Sequence, residues 1–394
     1  MRVPRDPALP RLGFLLEPDA MAPILERSLG RPARLGDLRI ARVSYKPGER
    51  VCVHYEAVVD GRREDAVARS VAGRDLESRT RHPRLLELAQ RVNGRSPAAN
   101  PLTYHADAHA LLSWLPFDAR LPALAEDLPQ RLREAGLSVP AEPVEEPRRL
   151  AYKPGRRAVL RVGEHVVKTY ASAQQFASAA SALRAGSALM AIASPRCEAV
   201  DARLLLTAQE AVDGALMHGR EGEVGALVRR LQNTDIPRLA PASSSLLEAA
   251  TRKAALIGTV MPTLARRVRG LADRLARSAP PAPRLVPAHG DFHAGQLVRA
   301  GGDVYVLDLD SLCFASPALD LAEYAAGAAE AGAEAAEAAR DRLLAGYGAR
   351  PGGLDWHLSA AILVRASHPF HKAAPAWKER VEELVAAAEE VLAE

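Results

Sequence analysis

One polar loop followed by an apolar strand constrains the fold of this chain more than any other segment does. The loop, His289–Gln296, reads H-G-D-F-H-A-G-Q, and an apolar run over 304–307 leads from it to Asp308. Asp291 and Gln296 are five positions apart, and Asp308 follows Asp291 by seventeen. For these three side chains to face one cavity, the residues between the first two must turn sharply, and the glycine among them suits such a turn.

The spacing of these side chains is the one that phosphoryl-transfer enzymes use. The catalytic loop of protein kinases reads H-R-D-x-x-x-x-N, in which the Asp is the base and the Asn binds the metal. Mg²⁺ prefers oxygen ligands, which the carboxylate of Asp308 and the amide of Gln296 supply. Asp291 would then take the proton of an acceptor hydroxyl. Either motif alone is weak, because Gly-Asp is a common turn pair, but both in this order favour phosphoryl transfer from a nucleotide.

With the downstream segment S-P-A-L-D-L-A at 316–322, this stretch resembles the aminoglycoside phosphotransferase-like family of small-molecule kinases, which includes sugar, choline and homoserine kinases. The family pattern is H-G-D-x-x-x-x-N, then an apolar strand with I-D-[FW], then D-P-x-x-D-L-A. The resemblance implies that Asp291 is the catalytic base and that Gln296 and Asp308 bind Mg²⁺. It also implies that Asp320 is a buried carboxylate that braces the loop, and His289 is expected to brace the loop backbone.

The sequence departs from the family pattern at two positions. Gln296 stands where Asn is usual, which keeps the amide oxygen but adds a methylene, and Ser316 stands where the family has Asp. Some sugar-kinase-like branches, including maltokinase-like proteins, are similar in carrying Gln here. The resemblance therefore favours a sugar or an amino sugar as the acceptor.

The resemblance also implies a fold of the α+β class. We expect a bilobal protein-kinase-like fold, in which a small antiparallel β lobe precedes a large helical C-lobe that carries the catalytic loop. Two apolar runs, 158–162 and 164–170, predict a hairpin with Gly163 in its turn. Lys168 ends the second run, where the family's lysine for the α/β-phosphates would lie, although a solvent-facing strand lysine is the commoner case.

Two features of the predicted small lobe leave alternatives open. Kinases pair the lysine with a glutamate on the next helix, but the stretch 172–190 contains no acid. A glutamine such as Gln174 or Gln175, a carboxylate from elsewhere, or the nucleotide with Asp308 alone would have to take that place. No G-x-G-x-x-G loop is present, and the basic residues of the turn Lys153–Arg156 either reach phosphates or, as is commoner, are solvated.

A strand over 203–208 leads to Gln209, Glu210 and Ala211. By the resemblance this segment is the linker between the lobes, and its backbone would bind the adenine of ATP (or GTP).

A Y-K-P-G segment occurs twice, at 45–48 and 152–155, and an alternating apolar run follows each copy. Arg69 ends a further strand candidate, 66–69, at the place that Lys168 has in the second copy. Residues 1–145 are therefore interpreted as a degenerate copy of the small lobe with a role in packing or substrate closure. Chance similarity of two hairpins is the alternative. A guanidinium does not replace a phosphate-binding lysine like for like.

The pattern along the chain predicts three domains: 1–145, 148–215 and 216–394. Residues 36–70 are strand-rich, 72–140 mix helices with loops, 142–147 form an acidic, proline-containing linker, and strands return over 148–217. Helical patterns then cover 221–233 and 245–278 and, after the catalytic segment, 317–347 and 356–393.

Composition excludes several classes of function. The net charge of +4 is small and the arginines are scattered, which argues against nucleic-acid binding. Three cysteines lie far apart without metal-ligand spacing, which favours free thiols in a reducing compartment. No apolar segment approaches the length of a membrane span. We therefore expect a cytoplasmic monomer or homodimer whose partner is a small-molecule hydroxyl acceptor.

The acceptor itself is where the sequence is least informative. A sugar, an amino sugar or an aminoglycoside fits the resemblance, and His293, Asp310 and Glu323 are candidate contacts. A second possibility is a kinase that acts on a peptide hydroxyl in natural-product biosynthesis. A third is a pseudokinase that binds nucleotide without transfer, which the acid-free stretch 172–190 favours and the intact Asp291 and Asp308 oppose.

Overall fold

The computed structural model of the chain describes residues 3–140, 146–187, 189, 192–217, 219–236, 239–242, 245–281 and 284–393. The chain divides into two compact units. The first comprises the chain up to Phe176 together with Ala199–Ala208 and Phe370–Pro375, and the second comprises Ala177–Glu198, Gln209–Pro369 and Ala376–Glu394. None of the helices in the described ranges is both long enough and apolar enough to cross a membrane.

The first unit begins with two helices and a five-stranded sheet of order β1-β2-β3-β5-β4, in which neighbouring strands are antiparallel. Asp60 and Gly61 join β2 to β3 with φ of 50° and 85°, the left-handed pair that a two-residue hairpin turn requires. The elements are α1 (Leu12–Leu15), α2 (Pro18–Ser28), β1 (Leu35–Lys46), β2 (Arg50–Val59), β3 (Arg62–Val71), α3 (Leu76–Arg79), α4 (Pro83–Arg91), β4 (Leu102–His105) and β5 (Ala110–Trp114).

A second five-stranded sheet follows, and its order β6-β7-β8-β10-β9 repeats that of the first. A 3₁₀ turn (Pro122–Ala125) and α5 (Leu128–Glu134) precede it, as two helices precede the first sheet. The elements are β6 (Arg148–Lys153), β7 (Arg157–Val162), β8 (His165–Tyr170), α6 (Ala173–Ser187), β9 (Cys197–Asp201) and β10 (Leu206–Glu210). The hairpin predicted around Gly163 is the β7–β8 hairpin.

The two sheets also share their strand register. In the first sheet Cys52 pairs with Arg69, and in the second Val159 pairs with Lys168. Cys52 and Val159 each follow the tyrosine of their Y-K-P-G segment by seven residues, so that their strand partners, Arg69 and Lys168, stand at equivalent places in the two sheets. The common order and register support the interpretation of residues 1–145 as a degenerate copy of the small lobe.

The structure differs from the sequence-based expectations in two elements. Strands β4 and β5 lie within 72–140, where only helices and loops were predicted. The helix predicted over 245–278 is two helices, because Pro262 has no N–H to continue the first one and begins a 3₁₀ turn instead. Most of the linker predicted at 142–147 lies outside the described residues. The division into three domains therefore stays a prediction.

An ion-pair network joins the first sheet to the second. Arg149 on β6 donates from Nε to Asp65 Oδ2 at 2.7 Å and from Nη2 to Glu56 Oε1 at 2.9 Å. Asp65 Oδ1 lies 2.6 Å from Nε2 of the buried His54. His54, Glu56 and Asp65 are ligand types that could together hold a metal ion, but the guanidinium already binds two of them, so they form an ion-pair network instead.

The segment Phe370–Pro375 packs within the first unit. The buried Phe370 lies against the ring of Tyr45, with centroids 6.5 Å apart. His371 Nδ1 lies 2.8 Å from the carbonyl oxygen of Val43 on β1. A residue stretch far along the chain thus completes the packing of the first sheet.

The second unit is mostly helical. Helix α12 is buried on most of its faces, including the turn at Leu358 and Ser359, and lies at the centre of this unit. The elements from residue 215 onward are β11 (Ala215–Leu216), α7 (Glu221–Gln232), α8 (Leu246–Val260), α9 (Ala265–Arg277), β12 (Val286–Ala288), β13 (Leu297–Ala300), β14 (Asp303–Val306), β15 (Cys313–Ala315), α10 (Leu319–Ala325), α11 (Ala333–Tyr347), α12 (Leu354–Arg365), α13 (His368–His371) and α14 (Trp377–Ala393).

We predict that Arg149→Met destabilises the first unit. The change removes the guanidinium that Asp65 and Glu56 share and leaves Glu56 with Arg39 alone, and we expect a loss of about 2 kcal/mol in the free energy of unfolding. Chemical denaturation would measure it. Arg148→Met is the matched control, since Arg148 is exposed and a surface change of this kind leaves stability nearly unchanged. Equal stabilities of the two variants would contradict the role given to Arg149.

Candidate active site

The loop His289–Gln296 is held between two small sheets. It follows β12, which pairs with β15 in antiparallel register, and it leads into β13, which pairs with β11 and β14. The backbone N–H of Leu307 donates to the carbonyl oxygen of Gln296 at 2.8 Å. Both ends of the loop are therefore fixed by backbone hydrogen bonds, as its turning path requires.

Asp320 anchors the start of the loop. Its Oδ2 accepts the N–H of His289 at 2.8 Å, and its Oδ1 accepts the N–H of Gly290 at 3.0 Å. The side chain is fully buried at the first turn of α10. Burial raises the pKa of the Asp320 carboxyl, and the neighbouring His289 and the two backbone N–H groups act against that rise.

Gly290 has no room for a side chain. Its φ is 78°, and an added Cβ would lie 2.5 Å from the carbonyl oxygen of Ser311 and 3.1 Å from Cys313 Sγ. Only glycine adopts this conformation without strain, and only glycine fits this close to β15. The H-G-D segment therefore requires its central glycine for packing as well as for backbone conformation.

His289 connects the loop to the end of β14. Its Nε2 lies 2.8 Å from the carbonyl oxygen of Leu307, and its Nδ1 accepts the N–H of Asp291 at 3.3 Å. The carbonyl oxygen can only accept, so Nε2 carries the proton and Nδ1 is the acceptor. The ring thus holds Leu307 and Asp291 in fixed positions on its two sides.

Glu323 contacts the loop backbone. Its Oε2 accepts the N–H of Phe292 at 2.9 Å, one turn of α10 beyond Asp320. Burial first, and then the charge of Asp320, raise the pKa of Glu323 to about 8. Arg365 lies nearby, with Nη2 at 3.5 Å from the carbonyl oxygen of Glu323. Burial lowers the pKa of Arg365, and the charges of Glu323 and Asp291 oppose that shift.

Asp291 itself is exposed, whereas its neighbour Phe292 is buried. His293 lies between exposed and buried, and its Nδ1 accepts the N–H of Gly295 at 3.1 Å. Burial lowers the pKa of His293, and the charge of Asp291 opposes the shift. The loop therefore presents a carboxylate to solvent on a backbone that is fixed on both sides of it.

Gln296 and Asp308 lie side by side. Gln296 Nε2 is 3.4 Å from Asp308 Oδ2, although twelve residues separate them. Gln296 is buried and Asp308 is half-buried. Asp308 has a φ of 56°, which is uncommon for a residue with a side chain and occurs often at functional sites. Rotating the Gln296 amide by half a turn would point its oxygen towards Asp308 instead of its nitrogen. The pair then supplies one carboxylate and one amide oxygen.

A close contact with α6 fixes the residue after Asp308. The buried Leu309 lies so close to Gly186 that a Cβ there would be 2.0 Å from Leu309 Cδ1. A methyl group at position 186 would therefore require the buried Leu309 side chain to shift. Sequence reasoning missed Gly186, and a lone glycine near the end of a helix gave no signal.

The predicted nucleotide-binding residues lie on the second sheet and at its edge. Lys168 is buried in β8, and Gln209 and Glu210 end β10, with Ala211 following it. Within the part of the chain that the structure describes, Gln209 Oε1 and the neighbouring Thr207 Oγ1 are buried without a hydrogen-bond partner. Such atoms are uncommon in folded proteins unless a ligand or water serves them.

Of the three predicted acceptor contacts, Asp310 and His293 are half-buried. Glu323 uses one carboxyl oxygen to hold the loop at Phe292. Arg365 was not anticipated, because an arginine at the end of an apolar helix has no motif around it. Arg365 contacts Glu323 on α10 through the tertiary structure alone.

A profile of the phosphotransferase enzyme family matches residues 137–358, more than half of the chain. No curated protein matches the sequence significantly. Solved structures with some likeness include a choline/ethanolamine kinase family protein from Mesorhizobium loti (17% identity, 66% of this chain, 94% of that chain, TM-score 0.47). Another is a macrolide 2'-phosphotransferase from Brachybacterium faecium (17% identity, 66% of this chain, 97% of that chain, TM-score 0.43). A third is an aminoglycoside phosphotransferase from Streptomyces rimosus (20% identity, 66% of this chain, 98% of that chain, TM-score 0.43).

We predict that Gly186→Ala destabilises the second unit although alanine favours helices. The methyl group collides with Leu309, and overpacking of this kind costs about 1–3 kcal/mol. Gly270→Ala in α9 is the matched control, because a Cβ there meets nothing within 4 Å and should stabilise by up to about 1 kcal/mol. Thermal unfolding of both variants decides the matter, and a stabilised Gly186→Ala would contradict the contact.

We predict that Glu323 gives the folded protein a pH dependence that Glu323→Gln removes. The Glu323 carboxyl loses its proton near pH 4.5 in the unfolded chain and near pH 8 in the folded protein, because its pKa rises from 4.5 to about 8. The unfolded state thus binds fewer protons between these values, and stability falls as pH rises through that window. The glutamine keeps an oxygen for Phe292. Denaturation at pH 5 to 8 should give a flatter profile for Glu323→Gln than for the exposed control Glu334→Gln; parallel profiles would contradict the assignment.

Proposed function

Because the chain belongs to the phosphotransferase enzyme family, we propose that it transfers the γ-phosphoryl group of ATP (or GTP) to a hydroxyl of a sugar, an amino sugar or an aminoglycoside. The observation that carries the proposal is the arrangement around the loop. Asp291 is exposed on a backbone held by Asp320 and Glu323, and the Gln296 amide lies 3.4 Å from the Asp308 carboxylate.

Gln296 and Asp308 suit a hard divalent cation. Carboxylate and amide oxygens are the protein ligands that Mg²⁺ takes together with phosphate oxygens, and these two side chains are adjacent. When bound, Mg²⁺ would neutralise charge on the phosphates during transfer. The longer glutamine replaces the usual asparagine, and the left-handed backbone of Asp308 sets the direction from which its carboxylate approaches.

Asp291 is assigned the role of the general base. It accepts the proton of the acceptor hydroxyl as that oxygen bonds to the γ-phosphorus and the bond to the β-phosphate oxygen breaks, which leaves the nucleoside diphosphate. The hydrogen bond from the Asp291 N–H to His289 and the bonds of Asp320 and Glu323 to the neighbouring N–H groups hold the carboxylate in place. A fixed base needs no reorganisation during transfer.

Lys168 is assigned to the α/β-phosphates, and the backbone of Gln209, Glu210 and Ala211 to the adenine. Gln209 Oε1 and Thr207 Oγ1 have no hydrogen-bond partner among the described residues, which supports a polar ligand at this end of β10, since buried polar atoms are usually hydrogen-bonded. Both assignments follow the order of a kinase small lobe, in which the lysine strand precedes the linker.

His293 and Asp310 are proposed to contact the acceptor. The Nδ1 of His293 is occupied by the Gly295 N–H, so the neutral ring carries its proton on Nε2 and can donate to an acceptor hydroxyl. The lowered pKa of His293 keeps the ring neutral at pH 7. Glu323 is better assigned to the loop, because its Oε2 already binds the N–H of Phe292.

A second candidate function is nucleotide binding without transfer. Helix α6 has no Asp or Glu along Ala173–Ser187, so the carboxylate that pairs with the lysine in active kinases is missing from its usual helix. This candidate predicts stabilisation by nucleotide without turnover of any acceptor.

We predict that Asp291→Asn lowers turnover by a factor on the order of 10²–10⁴, the contribution of a general base, while Mg-ATP still binds. Asp308→Ala should instead weaken Mg-ATP binding, because it removes a proposed metal ligand. The assay measures Mg²⁺-dependent ADP release with aminoglycosides, free sugars, amino sugars and amino alcohols, and calorimetry measures nucleotide binding.

Asp303→Asn is the control for both variants, since Asp303 is an exposed aspartate at the start of the neighbouring strand. It should match the parent protein in turnover and in binding. Normal turnover by Asp291→Asn would remove the base assignment. Nucleotide binding by the parent protein without turnover of any acceptor would favour the second candidate.

A further inference from the structure

The turn between β6 and β7 is held by one buried carboxylate. Asp118 Oδ2 accepts the hydroxyl of Tyr152 at 2.8 Å and the N–H of Gly155 at 2.6 Å. The side chain of Asp118 has no exposed surface. Tyr152 and Gly155 are the first and last residues of the second Y-K-P-G segment, so a single oxygen fixes both ends of this turn.

The first Y-K-P-G segment is held in the same way. Asp6 Oδ2 accepts the hydroxyl of Tyr45 and the N–H of Gly48, both at 2.8 Å. The two aspartates begin similar segments, D-P-A-L-P at 6–10 and D-A-R-L-P at 118–122. In each segment the aspartate Oδ1 accepts the N–H two residues later at 2.9 Å. Each sheet is therefore preceded by an aspartate that binds the turn between the first two strands of that sheet.

The two turns differ in one partner. Asp118 Oδ2 also accepts Arg69 Nη2 at 3.1 Å, and Arg69 lies where the second copy has Lys168. Among the described residues, Asp6 has no arginine partner. A Cβ on Gly155 would lie 3.1 Å from Arg69 Nη2, whereas a Cβ on Gly48 would meet nothing within 4 Å. The guanidinium thus lies against the second turn only.

The chemistry of Arg69 fits a structural use. Burial lowers the pKa of its guanidinium, but the charge of Asp118, together with those of Cys52 and Tyr152, raises the pKa above its usual range. A hydrogen bond between two charged groups in a buried place is stronger than one between neutral groups. Arg69 occupies the position that a phosphate-binding lysine would have in a functional lobe. Its guanidinium instead stabilises the carboxylate of Asp118, which holds the β6–β7 turn.

We propose that Arg69 and Asp118 form a positioning clamp on the β6–β7 turn, by which the first sheet sets the affinity of the second for nucleotide phosphates. The clamp rests on the proposed function, because the turn between the first two strands of a kinase small lobe covers the phosphates. This turn lacks the usual run of glycines, so its shape depends on side-chain hydrogen bonds instead. Arg69 and Asp118 act through the turn and are not catalytic residues.

The test is Mg-ATP and Mg-GTP binding by the full chain without an acceptor, measured by calorimetry. Arg69→Met removes the cation while it keeps much of the side-chain volume, and we expect about tenfold weaker nucleotide binding, the size of one lost charged hydrogen bond. Arg69→Lys keeps the charge and should recover part of the affinity. Asp118→Asn should weaken binding in the same direction.

Asp6→Asn is the matched control, because it alters the same hydrogen bonds in the first copy. Both Asp6→Asn and Arg69→Met should lower the melting temperature, but only Arg69→Met should change nucleotide affinity, which separates positioning from general stability. If Asp118→Asn fails to fold, the Arg69 variants still decide.

A folded Arg69→Met variant that binds Mg-ATP as tightly as the parent protein would overturn the clamp and leave the proposed function standing. An Asp6→Asn variant that loses as much affinity as Arg69→Met would also overturn it. A parent protein that binds neither nucleotide would overturn the proposed function and the clamp together.

Discussion

The candidate active site depends on one buried carboxylate. Asp320 receives the N–H groups of His289 and Gly290, and a buried N–H without a partner would be costly. The loop can therefore adopt its turning path only where α10 brings a carboxylate to its start. This anchor fixes the start of the loop and so the positions of the residues that follow. The His289 ring contacts the carbonyl oxygen of Leu307, and Asp291 lies at the surface. A helix and a strand pair that are remote in sequence share one hydrogen-bond system.

The predicted features that rest on local patterns are present in the structure. The hairpin around Gly163, the strand that leads to Asp308 and the acid-free helix after Lys168 are all present, because alternation and turn residues act over a few positions. The family and the α+β class were also predicted, and the family match confirms the former. Motif spacing also predicts that Gln296 and Asp308 face one cavity, and their side-chain atoms Nε2 and Oδ2 are 3.4 Å apart.

The features that were missed depend on contacts between distant segments. Strands β4 and β5 are short and form an edge hairpin, so their pattern is weak without the neighbouring β3. Gly186 packs against Leu309, and Arg365 contacts Glu323. In each pair the two residues are more than forty positions apart in the sequence, so no local pattern reveals the contact. The D-x-x-L-P recurrence was visible in the sequence, but only the hydrogen bonds of Asp6 and Asp118 show why it recurs.

The segment Phe370–Pro375 has a consequence for how the protein can be made. Its Phe370 and His371 complete the packing around Tyr45 and Val43, so the first unit lacks part of its interior until this segment has left the ribosome. Domains that are continuous in sequence fold one after another during synthesis. Here the first unit is not continuous in sequence, so the two units cannot be separated by a single cut of the gene without leaving one of them incomplete.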